Sequence, residues 1–188
     1  MKKTIVQELN EHIKTTESLF NLVDQISTSA KICIDSLNNG GKILLFGNGG
    51  SAADSQHIAA ELVGRFKIQR KGLPAIALTT DSSVVTSIAN DFGFNKVFER
   101  QVEALANNND VAIGISTSGN SKNVINGLEM ANKLDCSTIG FSGNDGGVMN
   151  SICNININIP SSVTARIQEM HIIIGHTLCH LIEQEFKS

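Results

Sequence analysis

This 188-residue sequence has few residues of several types, and each scarcity argues against a class of protein. It contains no Trp, no Tyr and only two Pro, and no apolar run approaches the length that spans a bilayer. Proteins that bind nucleic acids usually offer a basic surface and aromatic side chains for base stacking, whereas this chain has a formal net charge of −3. We therefore expect no nucleic-acid partner and no membrane association.

Paired cysteines and a signal-like N-terminus are also lacking. The cysteines stand singly in the sequence, at Cys33, Cys136, Cys153 and Cys179. They do not have the C-x-x-C spacing of a thiolate metal site. The N-terminus turns polar at Gln7, so the apolar core of a signal peptide is missing. We expect reduced, buried thiols in a cytoplasmic protein.

Apolar runs alternate with helical patterns along most of the chain. Strands are predicted over 43–46, 75–79, 110–115, 136–141 and 152–159. Helical periodicity fills the segments between them, and a last helix is predicted over 164–186. This alternation is typical of a parallel sheet with right-handed crossovers and helices on both faces. We predict one domain over 1–188 with a three-layer α/β fold, whose five-stranded parallel sheet has a flavodoxin-like strand order.

The predicted fifth strand differs from the others in its pattern. Ile155, Ile157 and Ile159 alternate with asparagines. A period of two indicates that one face of the strand is wet or only partly covered. We therefore place this strand at an edge of the sheet.

The N-terminal segment lies outside the alternation of strands and helices. Helices are predicted over 4–23 and 26–37, and the first is amphipathic, with Ile5, Leu9 and Ile13 at helical spacing. Its apolar face can pack on another subunit as readily as on its own sheet. The chain thus divides into N-terminal helices over 1–40 and an α/β core over 41–188.

A glycine-rich turn follows the first predicted strand. The sequence G-N-G-G-S occupies 47–51, and we predict that Ser51 caps a helix that begins at Ala52. Backbone N–H groups and the positive end of the helix dipole meet at such a turn, which suits an anion or a polar sugar. The same kind of turn also serves as a plain tight connection in many α/β proteins.

His57 and Glu61 lie one turn apart on the helix after this turn. At positions i and i+4 they share a face, so both could reach one metal ion or one substrate carbon. An i,i+4 pair of this kind is often only a surface ion pair. Its position beyond a glycine turn, at the carboxyl end of a predicted strand, favours a site, because open α/β sheets bind ligands there.

A second polar turn follows the third predicted strand. The sequence S-T-S-G-N-S at 116–121 places four hydroxyls around a glycine at the start of a helix. Hydroxyls and free backbone N–H groups together suit a phosphate. Helix capping is the alternative, but one serine would be enough for that.

Four motifs, in this order, resemble the phosphoheptose isomerase family of sugar isomerase (SIS) domains. They are G-N-G-G-S with H-x-x-x-E, A-N-D-F-G-F-N at 89–95, S-T-S-G-N-S at 116–121, and A-R-I-Q-E-M-H-I at 165–172. The resemblance implies interconversion of sedoheptulose 7-phosphate and D-glycero-D-manno-heptose 7-phosphate, the first step towards the activated heptose of bacterial surface polysaccharide. It also implies a cytoplasmic homotetramer.

The resemblance further implies roles for individual residues. One zinc ion per active site is expected on His57, Glu61, Gln168 and His176. Substrate contacts are expected from Asn48, Gly49, Gly50, Glu61, Asn90, Asp91, Ser116, Thr117, Ser118, Ser121 and Gln168. In an enediol proton transfer, Glu61 would be the catalytic base and His176 its acid partner. A metal-free site that uses the same residues remains an alternative.

The remaining histidines receive no role from the resemblance. His180 lies at i+4 from His176, yet only His176 matches the family pattern, so His180 is expected at the surface or in packing. His171 is expected to be structural. His12 is expected to face solvent from the first helix.

Two other functions are compatible with such a domain. Some similar proteins are non-enzymatic tetramers that bind the replication initiator, but they lack the residues that match Glu61 and His176. Another SIS isomerase could act on a different sugar phosphate, such as a pentose. The F-G-F-N stretch and the complete set of His, Glu and Gln favour heptose.

The spacing of the last two proposed ligands constrains the assembly. Gln168 and His176 are separated by eight residues of one predicted helix, which is ~12 Å along the axis. Both cannot reach one ion from the same straight helix. We therefore predict that each site is shared between subunits of an obligate oligomer.

Overall fold

The computed structural model describes residues 1–187 and shows a three-layer α/β fold. Its helices are α1 (Lys2–Ser18), α2 (Val23–Asn38), α3 (Gly50–Val63), α4 (Ser82–Phe92), α5 (Val97–Leu105), α6 (Lys122–Lys133), α7 (Met149–Ile152) and α8 (Thr164–Glu185). Its strands are β1 (Ile43–Gly47), β2 (Ala75–Ala77), β3 (Val111–Ile115), β4 (Ser137–Gly143) and β5 (Ile155–Ile159). All neighbouring strands are parallel, in the order β2-β1-β3-β4-β5, which confirms the predicted fold class.

The sheet separates two hydrophobic cores, and β1 contributes to both. Ile43 and Leu45 pack with α2, α3 and α8, whereas Leu44 and Phe46 pack with α5 and α6 on the other face. Every residue of β1 is buried, which explains its uninterrupted apolar sequence. The crossover after β1 leads to one side and the crossover after β3 to the other, so α3 and α6 lie on opposite faces. In open α/β sheets this change of side, here between β1 and β3, is where ligands bind, at the carboxyl ends of the strands.

β5 is an edge strand, as its alternating sequence predicts. Its asparagines are bonded to the hydroxyls of β4. Ser142 Oγ donates to Asn156 Oδ1 at 3.0 Å, and Thr138 Oγ1 lies 3.1 Å from Asn154 Oδ1. On this face a polar ladder takes the place of apolar packing, and it fixes the pairing of β5 with β4.

Several predicted boundaries differ from the structure. The expected helix over 4–23 ends at Ser18, and a 3₁₀ turn over Leu19–Leu22 joins it to α2. The strand expected over 152–159 begins only at Ile155, because Ile152 is the last residue of α7. Met149 is completely buried and its backbone N–H donates to Gly119 O at 3.2 Å, so this segment packs on the second polar turn before β5 begins.

The N-terminal helix α1 is held on α8 by a polar network. Arg166 donates to Glu8 O and to Glu169, and Glu169 Oε2 lies 2.8 Å from His12 Nδ1. The expectation that His12 only faces solvent is therefore wrong, because α8 brings Glu169 to it. The apolar residues Ile5, Leu9 and Ile13 of α1 remain more than half exposed.

The cysteines are all free thiols, in agreement with the sequence. Cys33 and Cys179 are fully buried, and burial raises the pKa of each thiol to about 12. Within residues 1–187, no helix is both long enough and apolar enough to cross a membrane.

His171 is a core residue of α8. Its side chain is fully buried beside Phe141, and its Nε2 donates to Ser142 O at 3.0 Å. Burial lowers the pKa of His171 to about 4, although the bond to Ser142 opposes this shift. The ring is therefore neutral in the folded protein at neutral pH and ties α8 to β4.

We expect this histidine to make stability depend on pH. Between pH 6.5 and 4 the unfolded chain binds a proton that folded His171 does not, so stability falls as pH falls through that window. At pH 5 the loss is on the order of 2 kcal/mol relative to pH 7. Urea unfolding of wild type and His171→Gln at both pH values measures this loss of stability. The variant should lose less stability between them, with His12→Gln as the control, and an unchanged pH dependence in His171→Gln would contradict this account.

Candidate functional site

The glycine turn begins where β1 ends beside β3. Gly47 is paired with Ile115, and Gly49 has a φ of 56°, which favours glycine. Gly49 is the cap of α3, so the prediction that Ser51 caps this helix is wrong. Because the chain reverses at Gly49, the Ser51 N–H already donates to Asn48 O at 3.0 Å, and Ser51 lies buried in the first helical turn.

The serine-rich turn after β3 gathers its hydroxyls around one point. Ser116 Oγ donates to Ser121 Oγ at 2.9 Å, and Ser118 Oγ accepts from the Asn120 N–H at 3.1 Å. Thr117 lies between these serines. The Ser121 side chain makes no capping bond to α6 in the described structure, so helix capping does not account for its hydroxyl. The arrangement supports the phosphate-binding interpretation.

His57, Glu61 and His176 come together between α3 and α8. His57 Nε2 lies 2.9 Å from His176 Nε2 and 3.2 Å from Glu61 Oε1. The three ligand atoms all lie within 4.8 Å of one another. Two of these residues are neighbours on one helix, but His176 comes from an element more than a hundred residues later.

A glycine allows the two helices to approach this closely. A Cβ atom at Gly175 would lie 2.5 Å from Ile58 Cδ1 and 2.7 Å from its Cγ1. Ile58 follows His57 in the chain, and Gly175 precedes His176. This close contact between α3 and α8 is therefore adjacent to both imidazoles.

The loop after α3 covers His176. The Phe66 ring stacks on the His176 ring with centroids 5.3 Å apart and an interplanar angle of 16°. This contact orients the imidazole, while His57 meets the same ring edge-on. Sequence reasoning did not single out Phe66, because the loop 65–72 has no periodicity that would place it against α8.

A buried ion pair anchors that loop. Arg70 donates to Glu61 O and Leu62 O, both at 2.8 Å, at the carboxyl end of α3, and its Nε lies 3.8 Å from Glu183 Oε2. Glu183 accepts from the Lys67 N–H at 2.9 Å. Burial alone would raise the pKa of Glu183, but bonds from the backbone amides of the loop lower it below its ordinary value. Arg70 and Glu183 are further residues that local sequence patterns did not identify.

Asp54 is the second carboxyl group of α3, besides Glu61. It lies one turn before His57, and its Oδ2 has no hydrogen-bond partner among the described residues. Burial raises the pKa of Asp54, and the nearby His57 opposes that shift.

Other residues predicted for the site lie elsewhere in the chain. The amide of Gln168 lies against Gly50, where a Cβ atom would collide with its Nε2. Gly50 and His57 are seven residues apart on α3, which corresponds to ~10 Å along the helix axis. Helix α8 is continuous from Thr164 to Glu185, so no break brings Gln168 closer to His176. Gln168 is thus placed at the glycine turn and not with the imidazoles of its own chain.

Asn90 and Asp91 are exposed in the last turn of α4. The Asn90 Nδ2 donates to Asp91 Oδ1 at 2.7 Å. For the part of the chain that is described, no hydrogen bond joins either residue to the two polar turns. The following segment is held near the serine-rich turn, because Asn126 of α6 donates to Asn95 O at 3.0 Å.

The three clustered side chains fit a divalent metal ion. Ligand atoms ~2.0–2.2 Å from one ion in tetrahedral geometry lie roughly 3.3–3.5 Å apart, so the separations of 2.9 Å and 3.2 Å from His57 need only small adjustments. Two imidazoles and one carboxylate suit zinc, although other divalent metals bind such sets. Without a metal, the two facing imidazole nitrogens would share one proton.

Comparison with known proteins agrees with the architecture. A family model described as SIS domain matches residues 6–143. The chain is 55% identical over 186 residues to a phosphoheptose isomerase of Aliarcobacter butzleri, covering 98% of each chain. It is 57% identical over 187 residues to one of a Nitratiruptor species, covering 99% of this chain and 100% of that one. The structure is similar to that of phosphoheptose isomerase from Neisseria gonorrhoeae, with a TM-score of 0.92, 41% identity, and coverage of 97% of this chain and 98% of that chain.

The contact at Gly175 predicts the effect of one added methyl group. Gly175→Ala should lower the free energy of unfolding by about 1–3 kcal/mol, the usual size for overpacking, and weaken Zn²⁺ binding because His176 moves away from His57. Urea unfolding and Zn²⁺ competition with a chromophoric chelator measure the two effects.

A compensating variant makes this test specific. Ile58→Val removes Cδ1 and should cost about 0.5–1.5 kcal/mol alone, yet it should restore part of the stability and of the zinc affinity when combined with Gly175→Ala. Wild-type stability in Gly175→Ala would show that α3 and α8 are not in tight contact there.

Proposed function

The chain belongs to the phosphoheptose isomerase family of SIS-domain proteins, and we propose that it interconverts sedoheptulose 7-phosphate and D-glycero-D-manno-heptose 7-phosphate. This is the first step towards the activated heptose of bacterial surface polysaccharide. The observation that supports it most directly is the group of His57, Glu61 and His176 within 4.8 Å.

The same group argues against a purely binding role. The SIS tetramers that bind the replication initiator lack the residues that match Glu61 and His176. Here both are present and meet on adjacent helices, and Phe66 orients the imidazole. A structural protein would have no need to hold an acid and a base together in a partly exposed position.

In the proposed reaction the two ends of the sugar are bound by different elements. The serine-rich turn and the glycine turn hold the phosphate, with Ser116, Ser118 and Ser121 as hydrogen-bond partners. The reacting carbons lie at the opposite end of the seven-carbon chain. Since His57 is ~10 Å along α3 from Gly50, the length of the substrate matches a site with two separate parts.

The proton transfer itself is assigned to two side chains. Glu61 takes the proton from one of the first two carbons and returns it to the other, and His176 exchanges a proton with the oxygens of the enediol. The chemistry that bound zinc supplies in such a reaction is Lewis-acid polarisation of the carbonyl. His57, Glu61 and His176 would hold the ion, with Gln168 as the fourth ligand.

The fourth ligand requires a second subunit. Gln168 lies at the glycine turn of its own chain, so we propose that a neighbouring subunit supplies the Gln168 that completes each metal site. There the amide would contact both the ion and the substrate. The exposed apolar face of α1, with Ile5, Leu9 and Ile13, supports assembly into the proposed homotetramer. We place the enzyme in the cytoplasm, where its sugar-phosphate substrate is made.

The direct test is to incubate the purified protein with sedoheptulose 7-phosphate and follow aldose formation by NMR, with and without a chelator. Glu61→Gln should lower kcat by about 10²- to 10⁴-fold, the usual effect of losing a general base. Zinc content measured on the same samples separates loss of the base from loss of a ligand. Glu103→Gln, at an exposed ion pair with Arg100, is the matched control. Near-wild-type turnover in Glu61→Gln would refute the assignment.

Complementation tests whether sites are shared. Gln168→Ala and His176→Ala should each be inactive, because each removes one ligand. After coassembly, some sites would receive an intact Gln168 from one chain and an intact His176 from the other, so activity should partly return. Native mass spectrometry must confirm mixed tetramers. If those tetramers remain inactive, each chain builds its own site.

A further inference from the structure

The geometry points to Asn123 as a positioning residue for the phosphate end of the site, an inference that rests on the proposed function. We propose that Asn123 fixes the spacing between the glycine turn and the serine-rich turn by pairing with Asn48. Neither the family resemblance nor the local sequence pattern gives Asn123 a role.

The two asparagines form a reciprocal pair of amide hydrogen bonds. Asn48 Nδ2 donates to Asn123 Oδ1 at 2.9 Å, and Asn123 Nδ2 donates to Asn48 Oδ1 at 2.8 Å. Asn123 Oδ1 also accepts from the Val124 N–H at 3.0 Å. Only 3% of Asn123 is exposed, although an asparagine in the first turn of a helix usually faces solvent. Both side chains are thereby held in one conformation.

This pair joins two segments that otherwise diverge. The glycine turn leads into α3 on one face of the sheet, and the serine-rich turn leads into α6 on the other. Their helices pack in different hydrophobic cores. Among the described side-chain hydrogen bonds, only the Asn48–Asn123 pair connects the glycine turn to the start of α6, directly after the serine-rich turn.

The chemistry of the pair suits a neighbouring phosphate. Each amide uses one of its two N–H groups in the pair, so each retains one N–H, although Asn123 Oδ1 already accepts two hydrogen bonds. The pair is also neutral, whereas a carboxylate at either position would repel the phosphate dianion. Asn48 is a proposed substrate contact, and Asn123 holds it in place before the substrate arrives.

Loss of this support should act on binding and not on the chemical step. The phosphate is bound equally in the ground state and the transition state, so its contacts set KM and leave kcat unchanged. Asn123→Ala should raise KM for sedoheptulose 7-phosphate roughly 5- to 10-fold, with kcat within about twofold of wild type. Asn123→Asp should raise KM further, because it adds a negative charge.

A double-mutant cycle with Asn48 tests the pairing. Asn48→Ala should raise KM. The double variant with Asn123→Ala should raise KM little more than Asn48→Ala alone, because Asn123 acts by positioning the Asn48 side chain, which is already absent. The control is Asn132→Ala near the other end of the same helix, where Asn132 donates to Ile152 O at 2.7 Å. It should lower stability without changing KM.

Binding of inorganic phosphate, followed by the shift in melting temperature, gives a readout that does not depend on turnover. The shift should be smaller for Asn123→Ala than for wild type or Asn132→Ala. If wild type fails to isomerise the heptulose, the proposed function fails, yet this comparison still tests Asn123. An unchanged KM and phosphate shift in folded Asn123→Ala, or additive effects in the cycle, would overturn the inference. Should Asn123→Ala not fold, Asn123→Ser, which removes the amide without adding a charge, replaces it in every arm.

Discussion

The close approach of α3 and α8 at Gly175 is the constraint on which the reactive part of the site depends. Gly175 and Ile58 make the contact. His176 follows Gly175 on α8, and His57 precedes Ile58 on α3, so both imidazoles are adjacent to it. The packing contact between α3 and α8 and the proposed catalytic imidazoles therefore lie at the same place. Protein interiors are close-packed, so a change in volume at this contact is transmitted to the distance between the two imidazoles.

The groups proposed for proton transfer and those proposed for phosphate binding lie on different elements of the fold. The groups assigned to proton transfer lie on α3 and α8, which pack in one core. The two turns assigned to the phosphate come from strands that meet in the sheet but lead to helices in different cores. The phosphate end thus needs a link across the strand ends, and the Asn48–Asn123 pair provides it. The reactive end needs no such link, since one helix pair builds it.

Local sequence patterns predicted the features whose causes are local. Apolar runs predicted four strands of the sheet and a period of two predicted the fifth. The i,i+4 spacing predicted that His57 and Glu61 would meet, as they do. Patterns did not predict Phe66, Arg70 or Glu183, because each acts through a partner far away in the chain. Cap position was also misjudged, since the left-handed backbone at Gly49 outweighed the capping preference of Ser51. The family resemblance predicted Gln168 as a metal ligand, whereas the structure places its side chain at the glycine turn of its own chain.

The position of α8 in the chain has a consequence for biosynthesis. This helix follows every strand in the sequence, and it covers α1, α2 and α3 with residues such as Ile174 and Leu178. A nascent chain can form the sheet and both polar turns while α8 is still inside the ribosomal tunnel, because chains fold from the N-terminus as they are made. During that interval His57 and Glu61 have no His176 beside them, and one face of the core is uncovered. The proposed metal site would consequently be completed only after α8 has been synthesised and has docked.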